Sequence, residues 1–250
     1  MTQFPELKEF PSSFGAAIFP FVVAFGILLT SYFTGTFPNI VVFYFALFTA
    51  VILASGLVGY EKFVEFLGFD VNGKFWKIPF YVLTGLVSGG VLYKFVSFLS
   101  NFGLSIYPFP MDLALSDILL STPFMVSAIN LLIVAIGEEI LRTYGNFAFA
   151  NWVAKRFNVS LPTAINVGVF ISSITFILLH LPAWNFTPNI FSYLFGVLIV
   201  FLFSQLCFMF ISPFFGPFHI GEYVIYPAIA SHFIYDILVD MNLRLFPVGV

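Results

Sequence analysis

Apolar residues run through this chain in long blocks separated by short polar interruptions. A helix rising about 1.5 Å per residue needs roughly 20 apolar residues to cross a bilayer's hydrocarbon. Blocks of that order cover residues 14–36, 38–60, 78–100, 119–141, 162–182, 190–212 and 222–246. The pattern predicts an all-α fold, a polytopic transmembrane helical bundle of seven or eight spans. No internal repeat or disordered linker divides it, so residues 1–250 read as a single domain.

The interruptions refine this picture. Pro38 marks the break between the first two blocks. Residues 61–77 (EKFVEFLGFDVNGKFWK) hold most of the charge of the first half and read as an interfacial connector. Lys62, Lys74 and Lys77 assign that connector to the cytoplasmic side. The 101–118 loop has Asp112 and Asp117 but no Lys or Arg, and is expected to face the other way. Gly85, Ser88, Gly89 and Gly90 would let the third span approach a neighbour closely. Asn158 to Pro162 (NVSLP) reads as a turn, with Pro162 suited to the first position of the next helix. The first apolar block is longer than a signal-peptide core and has no clear small-residue cleavage site, so it is expected to be a span.

Composition sharpens the class. The chain is 60% hydrophobic and 8% charged, with mean hydropathy +1.04; a soluble domain carries about 25% charged residues. The 38 Phe suit lipid-facing surface. A net charge of −3 spread over so few ionisable groups says nothing about partners, and no basic patch fits a nucleic acid. Cys207 is the sole cysteine, so no internal disulfide can form.

Against this background the ionisable residues inside apolar blocks stand out: Lys94, Glu138, Glu139, Arg142, His180, His232, Asp236 and Asp240. Lys94 can snorkel to the interface. Asp240 lies near the end of the last block and reads as solvated. His219, in the PFFGPFHIG loop, reads as interfacial, and the glycosylation patterns at Asn158 and Asn185 read as chance matches beside spans. The rest fall at helical spacings. Glu138 and Arg142, Phe176 and His180, and His232 and Asp236 are each i, i+4 pairs sharing a helix face. Each has a plain structural reading: a packed, hydrogen-bonded histidine, or an ion pair that fixes helix register. Yet one charge at hydrocarbon depth costs about 2.5–3.5 kcal/mol, and adjacent carboxylates disfavour joint ionisation. Three separate polar faces in so apolar a chain point to one shared site.

Register supports that reading. Val159 lies 21 positions from both Glu138 and His180, so an antiparallel hairpin would bring those two side chains level. One difficulty accompanies it. A straight helix over 122–157 would be roughly 50 Å long, more than a bilayer needs. Either it bends near Gly137 or Gly145, or its second half, the half-apolar 143–157, lies along the interface.

Carboxylates and imidazoles meeting in a water-accessible cavity suit the activation of water. A glutamate away from bulk solvent is the stronger base, and a neutral histidine can share the water's proton. A second histidine, held by a carboxylate on its own helix, could donate to a developing oxyanion. The same side chains could instead bind Zn²⁺, through Glu138, His180 and His232; the sequence leaves metal-bound and metal-free water equally open.

Three motifs then carry a resemblance: Glu138-Glu139-Ile-Leu-Arg142, Phe176-Ile-Leu-Leu-His180 and His232-Phe-Ile-Tyr-Asp236. In order and separation they resemble the EExxxR, FxxxH and HxxxN/D motifs of the CAAX protease and bacteriocin-processing (CPBP) family, which includes the type II CAAX prenyl endopeptidases. The resemblance covers about residues 120–240. Arg142 arrives one residue early, giving EExxR, a spacing similar to the EExxK of the related anti-sigma-factor site-1 proteases. The resemblance implies an intramembrane endopeptidase with Glu138 as base beside His180, Glu139 and Arg142 in support, and His232 and Asp236 as oxyanion and substrate-orienting groups. Phe176 is implied as a supporting residue. The implied partners are membrane lipid and a peptide or protein substrate, lipidated or not. Two other classes remain: a proton- or ion-coupled transporter or channel using the carboxylates as a relay, and a non-catalytic binding or immunity protein retaining the residues as scaffold. The absence of an inverted repeat counts against a transporter.

Overall fold

A computed structural model of the chain describes residues 7–37, 39–67, 75–101, 120–182, 190–208 and 225–245. Among them the regular elements are all helical: α1 (Phe14–Phe33), α2 (Ile40–Val58), a short α3 (Tyr60–Phe66), α4 (Ile78–Asn101), α5 (Phe124–Phe157), α6 (Leu161–Leu178), α7 (Ile190–Phe208) and α8 (Tyr226–Leu245). Five stretches are long and apolar enough to cross a membrane: α1, α2, Phe75–Phe98 in and before α4, α5 and α6. Helix α8 is less apolar because it carries His232, Asp236, Asp240 and Arg244. Pro38, Lys74, Asp112, Asp117, Asn185 and His219 lie outside the described residues.

Local signals set the helix ends. Ser13 accepts the Ala16 N–H at 3.2 Å to start α1, and Asn39 accepts the Val41 N–H at 2.8 Å to start α2. Each satisfies one of the amide donors a helix start leaves open. The turn at 158–160 ends α5 with Asn158 in the left-handed region at φ 50°, a conformation asparagine tolerates. Ser160 then caps α6. Pro162 falls at the second position of α6, one later than expected, and its missing N–H is still one the helix start leaves unbonded.

Helix α5 is the element around which the others are placed. It runs unbroken for 34 residues, about 50 Å at the usual rise. Neither Gly137 nor Gly145 interrupts it; both are places of close approach. A Cβ on Gly137 would lie 2.6 Å from the Leu47 side chain of α2, and one on Gly145 would lie 2.7 Å from the Phe21 ring of α1. Nor does the second half lie along an exposed surface. Leu141 to Asn151 are all buried, and exposure returns only near Lys155. The half-apolar composition of 143–157 misled because its polar groups find partners inside. The Tyr144 hydroxyl donates to the Ala16 carbonyl at 2.9 Å, Asn151 donates to the Phe10 carbonyl at 2.6 Å, and Phe10 stacks on Phe147 at 5.1 Å.

Two helix pairings frame the site, α5–α6 antiparallel and α4–α8 parallel. In α5–α6, Gly168 lies against the Ala150 backbone, where a Cβ would come within 2.7 Å of the Ala150 Cα. Residues 150 and 168 are each nine positions from Val159, so the hairpin keeps one register from its turn to the level of Glu138 and His180. In α4–α8, Gly85 and Gly89 face α8 and Gly90 faces open space. A Cβ on Gly85 would sit 2.7 Å from Ala230 Cβ and tighter still on the Pro227 carbonyl. The small-residue stripe predicted for the third span is therefore used, by two of its glycines.

Outward faces carry large apolar side chains, among them Phe33, Val41, Ile52, Val91 and Phe170. Apolar residues buried inside and apolar residues facing out is the distribution that hydrocarbon surroundings require.

Candidate functional site

Glu138 and Glu139 are consecutive on a helix, so their side chains leave it about 100° apart, and the fold treats them differently. Glu139 turns into the protein. Arg142, one turn on, donates from Nε to Glu139 Oε1 at 3.2 Å and pairs through Nη2 with Oε2. The pairing expected from i, i+4 spacing was Glu138–Arg142; the structure uses i, i+3 instead, because Glu138 points elsewhere. The guanidinium's remaining arm reaches α7, where Nη1 donates to Ser204 Oγ, and Ser204 in turn donates to the Val200 carbonyl at 2.9 Å. Arg142 and Glu139 side chains are each 1% exposed. A buried pair like this is held by geometry and further hydrogen bonds, since Coulomb attraction alone barely offsets desolvation.

Helix α8 adds His232. Its Nδ1 lies 2.8 Å from Glu139 Oε1. A carboxylate already paired with arginine can only accept, so Nδ1 carries the hydrogen. That fixes the ring and aims Nε2 outward, 3.5 Å from Glu138 Oε2 and 3.4 Å from Asp236 Oδ2. Asp236 lies one helical turn beyond His232, so both side chains share a face.

Helix α6 supplies the other imidazole. The helix ends at Leu178 and the chain continues through a turn at 179–182, which places His180 past the last helical turn. His180 Nδ1 lies 3.1 Å from the Phe176 carbonyl. A carbonyl oxygen only accepts, so Nδ1 again carries the hydrogen and Nε2 presents its lone pair. The Phe176 ring packs at 5.1 Å from the imidazole. His180 Nε2 faces Glu138 Oε1 across 3.9 Å. That is too long for a direct hydrogen bond and wide enough for a bridging water.

Glu138 thus stands between two imidazoles, one for each of its oxygens. Its side chain is 7% exposed, against 17% for His180, 13% for His232 and 19% for Asp236. Glu138 and His180 line a cleft, and His232 and Asp236 are partly exposed, whereas Glu139 and Arg142 are buried. The cleft opens between α1, α2, α5 and the end of α6. Among the described residues, no three His, Cys, Asp or Glu side chains group in a way that could hold a metal ion. The two oxygens of Glu138 address different imidazoles, so Glu138, His180 and His232 do not form a ligand set as arranged, and no step is derived through a metal.

All the residues singled out in the three motifs lie in this one cluster. Asp240 was misread. Far from solvated, it is fully buried; it accepts from Arg244 Nε at 3.1 Å and from Ser127 of α5 at 3.1 Å. Arg244 also donates to the Thr122 carbonyl at 3.0 Å. The pair is another i, i+4 spacing on α8, with Arg244 in the last turn of the helix. Ser204 gave no signal at all, since one serine in an apolar run is unremarkable until its partner is known.

Among the described residues, the fold and site define an all-helical protein with five helices long and apolar enough to span a membrane, holding a carboxylate–imidazole cluster at the level where α5, α6 and α8 meet. Comparison with protein-family models, curated protein sequences and solved structures returns no match to this chain.

Proposed function

We propose that this chain is a multi-pass integral membrane endopeptidase of the CPBP type, with seven spans formed by α1, α2 and α4 to α8, that hydrolyses a peptide bond with a water activated by Glu138 and His180. The observation that carries the reading is the 3.9 Å gap between Glu138 Oε1 and His180 Nε2. With Glu138 ionised and His180 hydrogen-bonded to Phe176 through Nδ1, the two facing atoms are both acceptors. A water between them donates one hydrogen to each and turns a lone pair away from both, toward a substrate carbonyl.

The reaction balances with this chain's own groups. Glu138 takes a proton from the water as the oxygen bonds to the carbonyl carbon, forming a tetrahedral oxyanion. His232 and Asp236 flank the position that oxyanion would occupy, and a proton held between His232 Nε2 and Asp236 can be offered to it. When the C–N bond breaks, the proton on Glu138 passes to the departing amine, and the carboxylate is restored. Glu139 and Arg142 take no part in the transfer; they hold His232 in its tautomer and orientation.

The test uses purified protein in detergent or liposomes with a panel of apolar peptides. The intact chain is expected to cleave some of them. Glu138→Gln is nearly isosteric and is expected to lower kcat by about 100- to 10,000-fold, the usual range for a lost general base, with the thermal midpoint unchanged. Undiminished cleavage by this variant, or by His180→Ala, would remove the assignment. So would proton or ion flux through liposomes by a chain that cleaves nothing.

A further inference from the structure

Glu138 lies nineteen residues before the end of α5, and His180 nineteen residues after the start of α6. At the usual rise both side chains stand about 28 Å from the α5–α6 turn, close to the whole thickness of a bilayer's hydrocarbon. Protein closes that route, because Leu141 to Asn151 are buried without a break. In the opposite direction the walls are uneven. Helix α5 continues about 21 Å beyond Glu138, but α1 and α2 stop short. Leu28 and Leu47 line the cleft five residues before the end of α1 and seven after the start of α2, within about 10 Å of the α1–α2 connection. Phe37 from that connection and Pro182 from the turn after α6 line it too, and Thr34, Gly35 and Thr36 beside them are exposed. The cleft opens toward the α1–α2 connection and away from the α5–α6 turn.

Charge tells the two ends of the bundle apart. Lys155 and Arg156 stand exposed beside the α5–α6 turn. Lys62 pairs with Glu9, and the neighbouring Phe10 stacks on Phe147 and accepts from Asn151, so Lys8 and Lys62 share that end. Lys77 joins them: it precedes α4, which runs parallel to α8, and the far end of α8 meets Ser127 at the start of α5. Toward the end where the cleft opens, the cations among the described residues are Lys94, which lies over Tyr93, and Arg244, which is engaged by Asp240. Lys and Arg gather on the cytoplasmic side of spanning helices. From this we infer that the site opens on the non-cytoplasmic face of the membrane, and that its substrate is a peptide segment presented there rather than a chain end emerging in the cytoplasm. The substrate half of the inference rests on the endopeptidase reading; the direction in which the cleft opens does not.

The experiment reads the two halves separately, in sealed membrane vesicles of right-side-out and inverted orientation. In a Cys207→Ser background, Leu179→Cys places a thiol at the cleft and Val159→Cys places one at the α5–α6 turn. With a membrane-impermeant thiol reagent, Leu179→Cys is expected to react in right-side-out vesicles and to be protected in inverted ones, and Val159→Cys to show the reverse. Reaction of both from one side, or of Leu179→Cys from the cytoplasmic side, overturns the direction of opening.

The intact chain then receives a peptide that it cuts in detergent, extended by a charged tag that bars it from crossing the bilayer. Cleavage is expected in right-side-out vesicles and is lost in inverted ones until detergent is added. Cleavage in inverted vesicles alone overturns the inference and leaves the peptidase standing. Labelling of Leu179→Cys from the non-cytoplasmic side, in a chain whose intact form cuts no peptide in detergent, overturns the peptidase and its substrate while the direction of opening stands.

Discussion

At the residue scale, the division of labour between adjacent glutamates follows from what each faces. Glu139 has an arginine and an imidazole as fixed partners; Glu138 has two imidazoles, and the gap to His180 leaves room for water. The variants Glu138→Gln and Arg142→Met are therefore expected to fail differently. The first loses turnover and keeps its fold. The second strands Glu139 as an unpaired buried charge, a change that costs about 3–5 kcal/mol. A melting curve in detergent, run on both proteins, distinguishes them: Arg142→Met should unfold well below wild type. An unchanged midpoint would mean that Glu139 finds another counter-charge. Ser204 acts one step further out, through Arg142. Ser204→Ala should lower stability by about 1.5–3 kcal/mol, the usual worth of a hydrogen bond to a charged group, and Ser204→Thr, which keeps the hydroxyl, should restore most of it.

At the scale of elements, α8 is placed by its contact with α4, and so is His232. Because Gly85 and Gly89 lie against α8 backbone carbonyls, a side chain there meets atoms that cannot rotate away. Overpacking of this kind costs about 1–3 kcal/mol. Gly89→Val is expected to displace α8, reducing peptide cleavage as well as stability, whereas Gly90→Ala on the neighbouring open face should be neutral or slightly stabilising, by about 1 kcal/mol at most. Equal tolerance of both substitutions would show that α4 does not set the position of α8. The opposite end of α8 is tied by Asp240, Arg244, Ser127 and the Thr122 carbonyl. Together these contacts hold the first half of α8 against α4 and its far end against the start of α5.

The same elements show what could be read beforehand. Helices α1, α2, α4 and α6 fall within a few residues of the apolar blocks, because hydropathy and capping are local. The level match of Glu138 and His180 could also be worked out, since rise per residue is constant and the hairpin turn is short. The buried second half of α5 could not. Its Thr, Asn and Tyr residues look interfacial alone, and only the carbonyls of Phe10 and Ala16, more than 100 positions away, make them interior. Asp240 was misread for the same reason.

At the scale of the whole molecule, large apolar side chains cover the outside and the few charges are gathered within or at the ends of the bundle. The positive-inside bias of Lys62 and Lys77 gives a directional prediction. In a Cys207→Ser background, a cysteine replacing exposed Glu61 should react with a membrane-impermeant thiol reagent from the cytoplasmic face, and one introduced in the 102–118 segment from the opposite face. Labelling of both from one side would require an odd number of crossings to be revised between them.

Sequence alone determined that this chain is helical and apolar, where most helices begin and end, and which handful of ionisable residues had to be accounted for. Those properties are local: they depend on hydropathy, spacing and backbone geometry within a few turns. Only the tertiary structure decided which glutamate faces the cleft and which is locked to Arg142, that Asp240 is inside, and that α1 and α2 wall the space beside Glu138 and His180. Each of these depends on partners brought from distant parts of the chain, and a side chain's electrostatic role is set by those partners rather than by its neighbours in sequence.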